Sequence, residues 1–148
     1  MPESDTQLNG YYFEELSTGM TDIFGKTITD ADISLFAGIS CDTNPLHLND
    51  AYAKNTVFGD RIAHGMLTAS LISTVIGTKL PGAGSIYISQ SLQFKSPVRI
   101  GDTVIARCSI TKLIPKGFLV KINTQCLVDK IIVVDGEAIV KVPSKQKA

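Results

Sequence analysis

The stretch Gly65-Met66-Leu67-Thr68-Ala69-Ser70-Leu71-Ile72-Ser73-Thr74-Val75-Ile76 contains no charged residue. Leu67, Leu71, Ile72, Val75 and Ile76 recur at helical steps, and a helix with no charged face has to be buried on most sides. Gly65, Ala69 and Ser73 fall four residues apart, so they form a stripe of small side chains where another group can approach closely. Gly65 stands near the helix start, where N–H groups lack intrahelical acceptors and the dipole favours negative charge. Leu80-Pro81-Gly82-Ala83-Gly84 then breaks the helix.

Beyond Ser85 the period drops to two. Ile86, Ile88, Leu92 and Phe94 alternate with Tyr87, Ser89, Ser91 and Gln93, which predicts a long half-buried strand. Turns at Gly101-Asp102, Pro115-Lys116-Gly117 and Asp129-Lys130 separate three more strands, over Thr103 to Leu113, Phe118 to Val128 and Ile131 to Val142. The pattern reads as an antiparallel meander, with Asp135-Gly136 as a bulge in its last strand. One apolar helix and one long antiparallel sheet predict an α+β fold in which the sheet wraps the helix. Edge strands so rich in Val and Ile need cover, and a second copy supplies it, so a homodimer is expected.

Upstream of the helix, Met20 to Ile28 reads as a strand after an apolar patch of Tyr11, Tyr12, Phe13 and Leu16. Thr29 followed three residues later by Asp32 is the carboxylate form of a capping box. The helix it starts carries Ile33, Phe36, Ala37 and Ile39 and stops at Ser40. A second, short helix is predicted from Asp50 to Lys54 with Asn49 as its cap. One domain over residues 10–143, a flexible tail over 1–9 and a short tail over 144–148 account for the whole chain.

With 14 basic and 14 acidic residues the net charge is zero, and no Lys/Arg run precedes the last few residues. The electrostatic footprint of a nucleic-acid partner is missing. No apolar run is long enough for a membrane span and the polar start has no signal-peptide core, so a cytoplasmic protein is expected. Cys41, Cys108 and Cys126 are odd in number and unpaired in spacing, which argues for free thiols over disulfides or a structural zinc.

The polar chemistry concentrates in Asp42-Thr43-Asn44-Pro45-Leu46-His47. Pro45 fixes its own φ and pushes Asn44 toward extended geometry, giving a shaped loop able to aim Asp42 and His47 at one point. Such a carboxylate and imidazole suit proton transfer without a covalent nucleophile. The same spacing also suits an ordinary turn with Asp42 as cap and His47 half buried.

The run Phe36-Ala37-Gly38-Ile39-Ser40-Cys41-Asp42-Thr43-Asn44-Pro45-Leu46-His47, with Ala53 beyond it, resembles the hydratase 2 motif of MaoC-like, (R)-specific enoyl-CoA hydratases. Ile62-Ala63-His64-Gly65-Met66-Leu67 and Gly84-Ser85-Ile86-Tyr87 resemble that family's next two blocks in order and spacing. The likeness covers residues 13–142 and departs at Cys41, where the pattern commonly has glycine. The resemblance implies a hot-dog fold, usually dimeric, and syn addition of water to a trans-2-enoyl thioester, with no metal or redox cofactor.

By the same resemblance, Asp42 activates the water. His47 shares in that step and protonates the α-carbon, while the Gly65 N–H stabilises the thioester oxyanion. Asn44 orients the loop or the water. His64, beside the glycine, reads by its own position as a residue that packs and hydrogen-bonds at the helix entrance, in preference to a second base. If Gly65 holds the carbonyl, the stripe Ala69, Ser73 and Ile76 should carry the acyl chain. Ile76 would then limit it to roughly four to six carbons. The substrate carrier is CoA or an acyl-carrier protein, the latter for a dehydratase working in reverse. A hot-dog thioesterase fits less well, because its acidic residue belongs on a central helix that here has none; a non-catalytic acyl-binding module would not need the Asp42/His47 pair.

Overall fold

The computed structural model describes residues 8–146. The first seven residues and the last two, which belong to the expected tails, lie outside the described residues. The elements run β1 (Thr21–Thr27), α1 (Asp30–Ser40), α2 (Pro45–Leu48), α3 (Asp50–Lys54), α4 (Gly65–Thr78), β2 (Ile86–Phe94), β3 (Thr103–Ile114), β4 (Leu119–Val128) and β5 (Ile131–Lys141), with a 3-10 turn over Phe13–Glu15. One antiparallel five-stranded sheet, ordered β1-β3-β4-β5-β2, packs on α4. This is the hot-dog arrangement, an α+β fold as the helix-and-sheet pattern predicts.

Helix α4 buries Leu67, Leu71, Ile72, Val75 and Ile76 against inward residues of the sheet, among them Val104, Ala106 and Ile110 of β3, Val120 and Ile122 of β4, and Val140 of β5. Along β3 and β4 these positions alternate with more exposed ones, the period-two signature of a sheet with one covered face. Burial holds the Cys108 and Cys126 thiols protonated, pushing each up to about 12. Among the described residues no helix is long and apolar enough to cross a membrane.

The expected meander holds only for β3, β4 and β5. Strand β2 crosses to the far edge and pairs with β5, Ile86 opposite Lys141 and Phe94 opposite Val134. The turn after α4 delivers it there and is stitched to both chain ends: Gly10 N–H donates to Ala83 O at 2.9 Å and Tyr11 N–H to Pro81 O at 2.8 Å, while Gly84 lies against Pro143. As an edge strand beyond the reach of most of α4, β2 is not half buried. Its Ile86, Ile88 and Phe94 are 58%, 56% and 53% exposed.

Nor is Asp135-Gly136 a bulge, because pairing runs unbroken through Gly136 to Leu92 and Thr124. The glycine is needed for close approach instead, since a Cβ there would collide with the Ser91 carbonyl oxygen. Register shifts occur elsewhere, between Tyr87 and Ser89, Ile110 and Lys112, and Cys126 and Leu127. Ser144 and Lys145, assigned by sequence to the tail, hydrogen-bond the Glu14 carboxylate.

Helix α1 starts as its sequence predicts. Thr29 Oγ1 accepts from Asp32 N–H at 3.1 Å, and Asp32 Oδ2 accepts from Thr29 N–H at 2.9 Å. That backbone donor, helped by Lys26 Nζ at 3.0 Å, holds the Asp32 carboxyl below its ordinary range. Because folding lowers this pKa, the stabilisation is complete above the usual aspartate range and is lost as pH falls through the folded-state value. Asp32→Ala should cost about 0.5–1 kcal/mol at pH 7. Urea denaturation across pH should show the gap between wild type and variant closing in acid.

Candidate active site

Helix α1 ends one residue before Asp42, at Cys41, whose φ of 62° and ψ of 15° are left-handed. Its N–H still bonds Ala37 O at 2.9 Å, so the residue closes the helix in the conformation a glycine takes most easily. This explains why the related pattern has glycine there and shows that cysteine preserves the turn. Substitution of Cys41 by glycine should stabilise the fold by roughly 0.5–1 kcal/mol through relief of the left-handed backbone. The midpoint of chemical denaturation measures it.

Beyond this turn Asn44 N–H donates to Asp42 Oδ1 at 3.2 Å, leaving Oδ2 free. Asn44 Oδ1 accepts from Leu46 N–H at 3.0 Å and caps α2, with Pro45 in the first turn. His47 therefore rides on a one-turn helix, not in an open loop, because cap and proline together nucleate that turn. Asn44 is exposed and its carbonyl is occupied, so it orients the loop and does not line the cavity.

His47 is 8% exposed, and its Nδ1 lies 2.7 Å from Ile62 O. A carbonyl only accepts, so Nδ1 carries a proton, and in the neutral ring the lone pair is then on Nε2. His64, 2% exposed, follows the same rule in mirror form: Nε2–H donates to Asp42 O at 2.9 Å, and Nδ1 is buried without a partner. The two rings stack at 3.9 Å, and Phe36 packs on His64 at 4.8 Å. His64 thus does hydrogen-bond and pack at the helix entrance, and it ties the Asp42 backbone to the start of α4.

Asp42, His47 and His64 offer ligand atoms within 4.8 Å of one another. Imidazole binds an ion in its own ring plane at about 2 Å. Two rings stacked 3.9 Å apart and tilted by only 30° do not share such a point, so this triad does not form a metal centre. The free Asp42 oxygen and His47 Nε2 are both acceptors. Their complement is a water molecule giving one hydrogen to each.

Both groups face a cavity of about 460 Å³ that also takes in Gly65. Gly65 is the first residue of the fourteen-residue α4, whose first turn holds no acidic side chain, so its N–H and the positive helix end are open to an oxyanion. A Cβ on Gly65 would lie 2.7 Å from the Phe94 ring. The glycine lets that ring close over the helix start.

Of the other expected substrate contacts, Ser73 is exposed and Ile76 is 1% exposed in the core, and neither lines the cavity. Buried Thr68, Val98 and Val134 line it instead, together with Phe94, which is 53% exposed. A helix stripe counted every four residues selects one face, whereas the cavity lies where α4 meets the end of β2. Only the β2 crossover reveals that Phe94 packs at Gly65 and that Lys95 lines the same cavity.

Fold and site together define a hot-dog protein with an Asp/His pair and a helix N-terminus opening into one cavity. A family model described as MaoC like domain matches residues 17–128. The chain belongs to the MaoC-like domain family. It is 53% identical over 135 residues to a Rhodospirillum rubrum protein named (R)-specific enoyl-CoA hydratase, spanning 91% of this chain and 94% of that one. A tomato (Solanum lycopersicum) mitochondrial 3-hydroxyacyl-[acyl-carrier-protein] dehydratase is 40% identical over 122 residues, 80% of this chain and 73% of its own. Among solved structures, an R-hydratase from Pseudomonas aeruginosa in its unliganded form superposes with a TM-score of 0.88 at 38% identity, covering 95% of this chain and 94% of that one.

Proposed function

We infer that this protein is an (R)-specific enoyl-CoA hydratase, adding water reversibly to trans-2-enoyl-CoA to give the (R)-3-hydroxyacyl-CoA. The observation that carries this reading is the convergence of Asp42, His47 and Gly65 on one cavity with apolar depth. The (R) outcome is supported by the 53% identical relative of that name. With the thioester carbonyl on the Gly65 N–H, the double bond lies against Asp42 and His47. A water held by Asp42 Oδ2 and His47 Nε2 forms its O–C bond at the β-carbon, the π electrons move toward the carbonyl, and the enolate oxygen is held by the helix end. The water's proton passes to His47 Nε2 while Asp42 Oδ2 accepts a hydrogen bond from the other hydrogen, and the imidazolium so formed returns its proton to the α-carbon on the same face. His47 needs the Ile62 bond for this, because that bond fixes which nitrogen accepts.

The direct test is loss of the enoyl-thioester absorbance with crotonyl-CoA, followed by chiral analysis of the product. Asp42→Asn and His47→Gln should each lower kcat by roughly 10² to 10⁴ with folding retained by circular dichroism. Wild-type rates in either folded variant would remove that residue from the mechanism.

The dimer proposed from sequence is supported by the outer edge of β2, which pairs with no strand among the described residues and carries exposed Ile86, Tyr87 and Ile88. Light scattering at micromolar concentration should give twice the mass of one chain. Ile88→Lys, which sets a charge on that edge, should shift the mass toward a single chain.

A further inference from the structure

Among the described residues lining the cavity, Lys95 is the only Lys or Arg. It follows directly on the last residue of β2, and its main chain is pinned by Lys95 N–H to Val133 O at 2.8 Å. The exposed side chain at this fixed point has no carboxylate within 4.0 Å among the described residues. Both nearby guanidiniums are committed: Arg61 to Asp30 at 3.1 Å and Asp50 at 2.8 Å, Arg99 to Asp60 at 3.7 Å. Asp42, the acid of the same cavity, does not take Lys95 either. Of the other exposed lining residues, Met66, Phe94 and Pro97 are apolar and Ser96 is uncharged. The cavity therefore presents one unneutralised, stem-mounted cation beside apolar walls.

An enoyl thioester has no charge at its reacting end. Its formal negative charge lies on the carrier, where phosphate follows the two amide units of the pantetheine arm. With the carbonyl at Gly65 and the acyl chain in the depth, that arm has to leave over the lip. We propose that Lys95 is a phosphate-binding residue that recognises the phosphorylated carrier of the substrate. This rests on the hydratase reading only in taking a pantetheine thioester as ligand. A phosphate here is shared chemistry, because CoA carries a diphosphate and a 3′-phosphate while an acyl-carrier protein carries the single phosphodiester of its arm. A flexible ammonium suits this task, giving attraction without the fixed fork that would demand one phosphate geometry.

The test compares wild type with Lys95→Ala on three crotonyl thioesters: CoA, phosphopantetheine and unphosphorylated pantetheine. The ratio of kcat/KM for the CoA thioester to that for the pantetheine thioester should fall by roughly 3- to 10-fold in the variant, through KM. Salt should erode the wild-type ratio toward the variant's, and Lys95→Arg should retain it. A loss confined to CoA assigns the contact to the nucleotide phosphates, and a loss shared by phosphopantetheine assigns it to the arm. Both outcomes support phosphate recognition. An unchanged ratio, or an equal loss on all three, overturns it, leaving a solvated surface lysine or a contact to the neutral part of the substrate. Calorimetric titration with butyryl-CoA and butyryl-pantetheine reads the same ratio without turnover. A failed hydration assay with an intact binding ratio would thus count against the hydratase reading while sparing Lys95.

Discussion

Helix α4 buries one face along its length and is open at one end. Leu67, Leu71, Ile72, Val75 and Ile76 face the sheet, while Met66, Ser70, Ser73 and Gly77 form an uncharged exposed stripe on the other side, so the sheet packs over the buried face alone. Its first N–H groups have no acceptor within the helix, so the start must meet a cap, water or a ligand. Here the residue before the helix, His64, makes no side-chain cap to it. The imidazole is spent on the Asp42 carbonyl instead, and Gly65 at the helix start lines the cavity. An uncapped helix start would be a liability in a purely structural element. In the proposed hydration, beside a carboxylate and an imidazole, it would be the place where developing negative charge gains most.

The polarity of the site follows from two hydrogen bonds to carbonyls. Each histidine gives its proton to a main-chain oxygen, Ile62 for His47 and Asp42 for His64, so each keeps a bare nitrogen. For His64 that nitrogen is sealed without a partner, an arrangement that costs about 1–3 kcal/mol against stability. The return is a ring held flat beneath His47 and a fixed distance between the Asp42 loop and the start of α4. The carboxylate and imidazole are thereby kept as acceptors without either forming an ion pair with the other. A neighbouring salt bridge would have engaged the lone pair that a water has to meet.

The fold was legible wherever local chemistry decides structure. The Thr29/Asp32 box, the Asn49 cap and the charge-free run from Gly65 announce their helices because caps and burial act over a few residues. Asp42, His47 and Gly65 were legible from two short motifs that the fold brings to one cavity. What stayed hidden depends on crossing the sheet. Alternation along Ile86 to Phe94 is the same for a central and an edge strand, so it could not say that β2 would skip β3 and pair with β5. The same crossing carries Phe94 to Gly65 and Lys95 to the cavity lining. For the same reason the helix stripe through Ser73 and Ile76 gave a face of α4 but not the wall opposite it. Gly136 misled in a different way, because a glycine in a strand signals either a bulge or a close backbone approach, and only the Ser91 carbonyl distinguishes them.

Strand β2 therefore does two jobs that constrain each other. Its inner edge pairs with β5 up to Phe94 opposite Val134, and both of these residues line the cavity. Its outer edge pairs with no strand among the described residues and carries exposed apolar side chains. A free edge frays more readily than a paired one, and fraying at its end would move the Phe94 ring that lies against Gly65. Val133 restrains that end through the Lys95 and Ser96 N–H groups, at 2.8 and 3.4 Å, but these bonds act only after the strand has finished. Covering the outer edge would hold the remainder in register, including the shift at Ile88. Pairing along this edge, as in the dimer proposed above, would therefore act on the shape of the cavity through one strand, and a change at Ile88, with no contact to the site, would reach it through Phe94.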